Sequence, residues 1–225
     1  MKLIFKYISF FVLLFTLHSC GFGELRNEIY HDFVYKKPIH NPIDKYSVTI
    51  NKRFDDVWKK LIRHAGATFF AIDNFEKDSG LLTLSFGAAD ISEFIDGGDF
   101  YIEQKFRFTM RTKLADMPEP APPWRGEYVD YLENFTDTSL TGKANIVVTK
   151  IDEENTMVSV NARYIFDSRR GNVRKLSWVF DSGSCDTVNV EYDYGEQDGG
   201  NHVGGYDRKI CPTYHAEQSI INSLN

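Results

Sequence analysis

Apolar and polar positions follow clear periods over most of this chain, and those periods lay out its elements. Tyr46, Val48 and Ile50 alternate with Lys45, Ser47 and Thr49, as in a strand with one buried face. Phe54, Val57, Trp58, Leu61, Ile62 and Ala65 then recur at steps of three and four, which predicts a long helix with one apolar side. Asp55 and Asp56 in its first turn suit the positive end of the helix dipole, Asn51 is a candidate cap, and Gly66 marks the expected end. Two runs, 68–74 and 81–86, flank Glu76-Lys77-Asp78-Ser79-Gly80 and read as a hairpin. Over 101–111, Ile102, Phe106, Phe108 and Met110 share one side of a strand whose other side is charged.

Further along, 145–151 and 156–166 form a second predicted hairpin about Asp152-Glu153-Glu154-Asn155, and Leu176, Trp178 and Phe180 mark another strand. Residues 113–143 and 191–207 show no period and read as loops. A short closing helix is expected after Pro212, with Thr213 as its cap and Ile220, Ile221 and Leu224 as its stripe. The order predicts an α+β fold: a curved antiparallel sheet packed against a long N-terminal helix and a short C-terminal helix.

The beginning of the chain adds a destination. Lys2 and Lys6 precede an apolar run from Tyr7 to Leu17, eleven residues where a membrane-spanning helix takes about 20. Leu17-His18-Ser19-Cys20 ends the run and resembles the lipobox of bacterial lipoproteins. The resemblance implies that the Cys20 thiol receives a diacylglyceryl group and that the peptide bond before it is cut. An ordinary leader, or an uncleaved anchor with Cys20 incidental, is the other reading of the same run. The expected division is a signal peptide over 1–19, a lipidated tether over 20–44 interrupted near its end by Pro38 and Pro42, and one domain over 45–225. Gly21, rather than Asp, after the cysteine implies by the same resemblance the outer membrane, with the periplasmic face as the expected side.

Charge and cysteines narrow the partners. The formal charge is −6, and loss of Lys2 and Lys6 with a leader makes it more negative, so the basic footprint of a nucleic-acid binder is missing. The 18 Phe, 12 Tyr and 3 Trp favour a β-rich body, where rings pack on pleated faces. With Cys20 assigned to lipid, Cys185 and Cys211 remain in an oxidising compartment and are expected to pair, constraining the unfolded chain by roughly 3.5 kcal/mol. A metal site is the alternative, but a pair this far apart without a CxxC or HxxxH partner is a weak ligand pattern, so no metal is expected.

Within 45–87, the strand Tyr46 to Ile50, Phe54-Asp55-Asp56-Val57-Trp58, Phe70-Ala71-Ile72-Asp73-Asn74 and Ser79-Gly80-Leu81-Leu82-Thr83 resemble the helix-grip modules of BamC-type lipoproteins, accessory parts of the machinery that assembles outer-membrane barrels. That resemblance implies a sheet gripping a helix and a non-catalytic role in an envelope complex. The chain departs from the pattern in its short tether and its cysteine pair.

Little in the sequence calls for catalysis or a cofactor. There is no Walker loop, GxGxxG, HExxH or GxSxG, and the six histidines are scattered. His64 falls on the polar side of its helix. Asp90, Glu93, Asp96 and Asp99 could form an acid/base pair, and Asp193, Glu196, Asp198 and Asp207 could collect Ca²⁺, but spacing supports neither. The stronger candidates follow Pro118, Pro120, Pro122 and Pro123: Trp124, Tyr128 and Tyr131, with Phe135 beyond, are rings of the kind that anchor protein interfaces. The opposing reading folds them back onto the sheet. The sequence thus points to a membrane-anchored, non-enzymatic binding or scaffolding module with an envelope protein partner. A carrier for a small apolar ligand or lipid, held between sheet and helix, is the alternative.

Overall fold

A computed structural model describes residues 28–43, 46–107, 122–170, 174–193 and 203–225. The elements are β1 (Glu28–Lys36), β2 (Tyr46–Ile50), α1 (Phe54–Ala67), β3 (Ala71–Glu76), β4 (Leu81–Gly87), β5 (Ile95–Asp96), β6 (Asp99–Arg107), β7 (Trp124–Glu127), α2 (Tyr128–Phe135), β8 (Asp137–Lys150), β9 (Thr156–Arg170), β10 (Arg174–Asp181), β11 (Asp186–Asp193), β12 (Val203–Pro212) and α3 (His215–Asn222). Contacts divide the chain into two units. One comprises 1–32 and 103–122, of which the described part is the outer ends of β1 and β6 and Pro122. The other, 33–102 and 123–225, holds everything discussed below.

The fold is mixed α and β, and every strand pairing with an assigned register is antiparallel. A six-stranded sheet runs β10-β9-β8-β4-β3, with β2 on the same edge of β9 as β10. β9 is long enough for both: β2 pairs with Val160 to Thr156 and β10 with Arg170 to Arg163. The expected hairpin about 152–155 joins β8 to β9, and the Asp152 side chain closes it by accepting from the backbone of Glu154 and Asn155 at 2.8 Å each. Inward positions of these strands, Ile146, Val148, Val158, Val160, Ala162, Tyr164 and Phe166, are all buried, so the alternation in the sequence is the alternation of the sheet.

The single expected sheet is three. β1-β6-β7 and β11-β12-β5 are separate three-stranded sheets. Most of their strands come from segments expected as tether or loop: β1 lies inside 20–44, β7 inside 113–143, which also holds α2 and the first half of β8, and β11 and β12 run into 191–207. These strands pair across long sequence separations, and half-exposed edge strands carry weak alternation. The expected strand over 101–111 continues to Arg107, and Phe108 and Met110 lie outside the described residues.

The long N-terminal helix is not found in that form. The helix predicted from Phe54 onward is 14 residues, follows two strands, and is one of three helices among the described residues. Val57, Trp58, Leu61 and Ala65 are its buried side, each large side chain worth about 1.5–3 kcal/mol in burial. Its ends differ from expectation. Arg53, not Asn51, occupies the cap position, and Thr68 rather than Gly66 ends the helix, its hydroxyl donating to the His64 carbonyl at 2.9 Å. α3 begins after Tyr214, whose φ of 66° is left-handed, while Thr213 donates to the Glu93 carbonyl at 2.5 Å instead of capping. Its stripe is as predicted: Ile220 and Leu224 are buried and Ile221 is half-buried.

Candidate functional site

The three aromatic candidates fall on β7 and α2, and the structure separates their roles. Tyr128 is 1% exposed, so its ring is part of the core and offers no surface to a partner. It is the first residue of α2, with its backbone N–H donating to the Gly98 carbonyl at 2.8 Å. Trp124 and Tyr131 are half-buried. Spacing on the helix places Tyr128, Tyr131 and Phe135 on one side. The result is a ladder of rings: Phe100 to Tyr128 at 5.3 Å, Phe100 to Tyr131 at 4.7 Å, Trp124 to Tyr131 at 5.3 Å and Tyr131 to Phe135 at 4.8 Å between centroids. Edge-on and tilted contacts at these distances favour one another electrostatically. Gly126 makes room for the Trp124 ring, because a Cβ there would meet the indole at 2.9 Å. The last rung, Phe135, is 54% exposed.

Cys185 and Cys211 form the expected disulfide, joining the turn before β11 to the end of β12. His40 lies beside it, its ring stacked on Tyr214 at 5.7 Å, with ligating atoms of all three residues within 4.8 Å of one another. Sulfurs bonded to each other offer no thiolate, so this trio is not a metal centre in the oxidised protein. Burial, then the charge of Lys209, lowers the His40 pKa. Of the other metal reading, Asp207 accepts from Asn189 at 3.1 Å, and Glu196 and Asp198 lie outside the described residues.

The carboxylates at 90–99 do local structural work. Asp90 accepts from the backbone and hydroxyl of Ser92, Asp96 accepts from the Gly98 backbone at 2.7 Å, and Asp99 pairs with Lys36 at 3.3 Å. A cleft of about 370 Å³ runs past Lys36, Asp96, Asp99 and Glu127. Burial, followed by the negative charge of Asp130, Asp96, Asp99 and Asp90, raises the Glu127 pKa. The hydroxyls on that cleft, Ser92 and Thr213, already donate to Asp90 and Glu93. His64 is not simply solvated, since its ring nitrogen lies 3.2 Å from the Ser219 hydroxyl and its pKa is lowered by burial.

Two buried polar residues were missed in the sequence. Glu217 on α3 is 0% exposed and accepts from Tyr164 at 2.6 Å and Ser182 at 2.5 Å. Burial, and after it the Glu217 charge, push the Tyr164 hydroxyl far above the ordinary tyrosine value, so it remains a donor. Arg208 on β12 is 1% exposed, and its guanidinium sits 4.4 Å from the Tyr35 ring, 5.3 Å from Phe100 and Tyr128, 5.5 Å from Phe33 and 5.6 Å from Tyr206. Its Nε and Nη2 have no hydrogen-bond partner. The only sequence signal for either is that each shares a face with apolar neighbours, Arg208 with Tyr206 and Ile210, Glu217 with Ile220 and Ile221.

The layer between α1 and the sheet is filled by Val57, Trp58 and Leu61, and no helix among the described residues is long and apolar enough to cross a membrane. No known protein family, curated protein or solved structure matches this chain.

Proposed function

We propose that this chain is a bacterial outer-membrane lipoprotein of the periplasmic face, fastened through Cys20, whose helix-grip-like α+β body is a non-enzymatic binding module for an envelope protein. The sequence supports the anchor through Lys2, Lys6, the apolar run and the lipobox-like Leu17 to Cys20. The body supports the grip through α1 and the six-stranded sheet, with α3 against β9. Its boundary moves forward: β1 starts eight positions after Cys20, inside the span expected as tether.

One observation carries the binding reading. The ring ladder from Phe100 through Tyr131 ends in solvent at Phe135, a large apolar side chain held on a helix by rings behind it, which is the arrangement of an interface anchor with low ordering cost. Crosslinking in cells from a photoreactive residue placed at position 134, with identification of the attached protein, tests it. Recovery of one envelope protein from wild type, lost in Phe135→Ala while the melting temperature stays put, is the expected result. A Phe135→Ala protein that keeps its crosslinks from neighbouring Asn134 would overturn the reading. Palmitate labelling that persists in Cys20→Ser would separately remove the anchor.

A further inference from the structure

A trough of about 440 Å³ opens where β4 ends at Gly87 and β3 begins at Ala71. Its lining is mainly apolar. Phe86 and Gly142 pass beneath it, with the Phe86 ring itself buried on the opposite face of the sheet over Gly142, where a Cβ would collide with that ring. Phe69, 41% exposed, rests on Phe70 at 4.4 Å and Phe94 at 5.2 Å and turns its remaining surface outward; Ile165, 39% exposed, stands across from it. Rings this exposed, backed by a packed aromatic cluster, form a fixed apolar wall rather than a collapsing surface.

The rim carries charge of one sign. Lys143 on β8 and Arg163 on β9 are direct register partners on the exposed side of the sheet, and like charges placed opposite each other disfavour the pairing. Lys143 is answered by Asp73 at 3.0 Å. Arg163 is not: its partner on the other side is Asp181, whose carboxylate takes the Ser184 hydroxyl at 2.9 Å, and among the described residues no carboxylate forms an ion pair with it. An anion placed at Arg163 relieves the repulsion, and a guanidinium prefers the two oxygens of a carboxylate.

We infer that this trough is a binding site for a long-chain carboxylate, a single acyl chain lying along Phe69 and Ile165 with its head group on Arg163. The volume lies in the range of roughly 300–1,000 Å³ typical of sites for one small ligand. It suits one chain, not the two of a phospholipid. The site is apart from the filled layer beneath α1 and from the Phe135 surface, and it needs neither the anchor nor the protein partner.

Photolabelling of the full-length protein with a diazirine-bearing palmitate, followed by mapping of the adduct, tests it. The expected adducts fall on the peptides carrying Phe69 or Ile165, and unlabelled palmitate competes while hexadecanol does so about ten-fold less well. Arg163→Ala should lower labelling about ten-fold and Arg163→Lys less, and shortening the chain should cost up to about four-fold per methylene. Ile165→Trp fills the trough without adding a charge beside Arg163 and should abolish labelling, with an unchanged melting curve showing that the fold survives. Adducts elsewhere, equal labelling of Arg163→Ala, or equal competition by hexadecanol would overturn the inference. Phosphatidylglycerol competing better than palmitate would also overturn it, by assigning the rim to a lipid phosphate.

Discussion

Glu217 and Arg208 are both fully buried, in the same unit of the chain, and the protein accommodates them in opposite ways. Around Glu217 the solution is hydrogen bonding: two hydroxyls, from β9 and from the turn after β10, aim at its two oxygens. Around Arg208 it is ring faces from β1, β6, α2 and β12, with two donor nitrogens unmet. Magnitudes separate them. Each bond to a charged group is worth about 1.5–3 kcal/mol, and losing the acceptor strands the buried Tyr164 donor, while the Ser182 hydroxyl keeps the Ala162 carbonyl at 3.2 Å. Each ring contact is worth roughly 0.5–2 kcal/mol, while each unmet donor costs about 1–3, so the gains and losses at Arg208 nearly cancel. The Glu217 network ties α3 to the sheet; the Arg208 cage is close to energetically neutral.

Glu217→Ala should therefore have the largest effect, about 4 kcal/mol in chemical denaturation, from two lost bonds to a charged group, one orphaned hydroxyl and a cavity. A loss under about 1.5 kcal/mol would mean the network is not what secures α3. Next comes the disulfide, which ends the strand that carries Arg208: Cys185→Ser with Cys211→Ser should cost about 3.5 kcal/mol. Arg208→Met, which keeps the volume and removes the charge, should shift stability by less than about 1 kcal/mol in either direction. A loss of several kcal/mol there would show that the ring faces contribute more than the unmet donors cost, and the contrast between the two sites would vanish.

The smallest effect concerns pH. Burial lowers the pKa of His40 and His64 from the ordinary 6.5, so the unfolded chain binds their protons first. Stability from these two groups is complete above about pH 6.5 and is lost as pH falls toward their folded-state values. The melting temperature should drop across that window, and His40→Ala with His64→Ala should flatten the drop. An unchanged slope would place the titration elsewhere.

Much of the six-stranded sheet was legible because β9, β10 and the second half of β8 alternate and pair with neighbours in sequence, while the first half of β8, 137–143, fell in the expected loop; α1 was legible because six apolar residues share one side. The cysteine pair followed from counting. What was not legible came from distance. β1 lies beside strands from the far end of the chain, with the Tyr35 hydroxyl donating to the Lys209 carbonyl 174 residues away, and nothing local in Glu28 to Lys36 announces that partner. Tyr128 resembled Trp124 and Tyr131 as a loop aromatic, yet one turn of helix placed it inward. The trough was hidden for the same reason: Phe69, Lys143 and Arg163 come together only through the β3-β4-β8-β9 register.

Periods of two and three to four, and the count of thiols, are properties of neighbouring residues, so the chain alone determined its central strands, its first helix and its crosslink. Which ring is buried, which carboxylate finds a hydroxyl and where a cationic rim meets an apolar wall depend on contacts between segments far apart in sequence. Those were decided by the fold, because burial and charge pairing are set by what lies opposite in space.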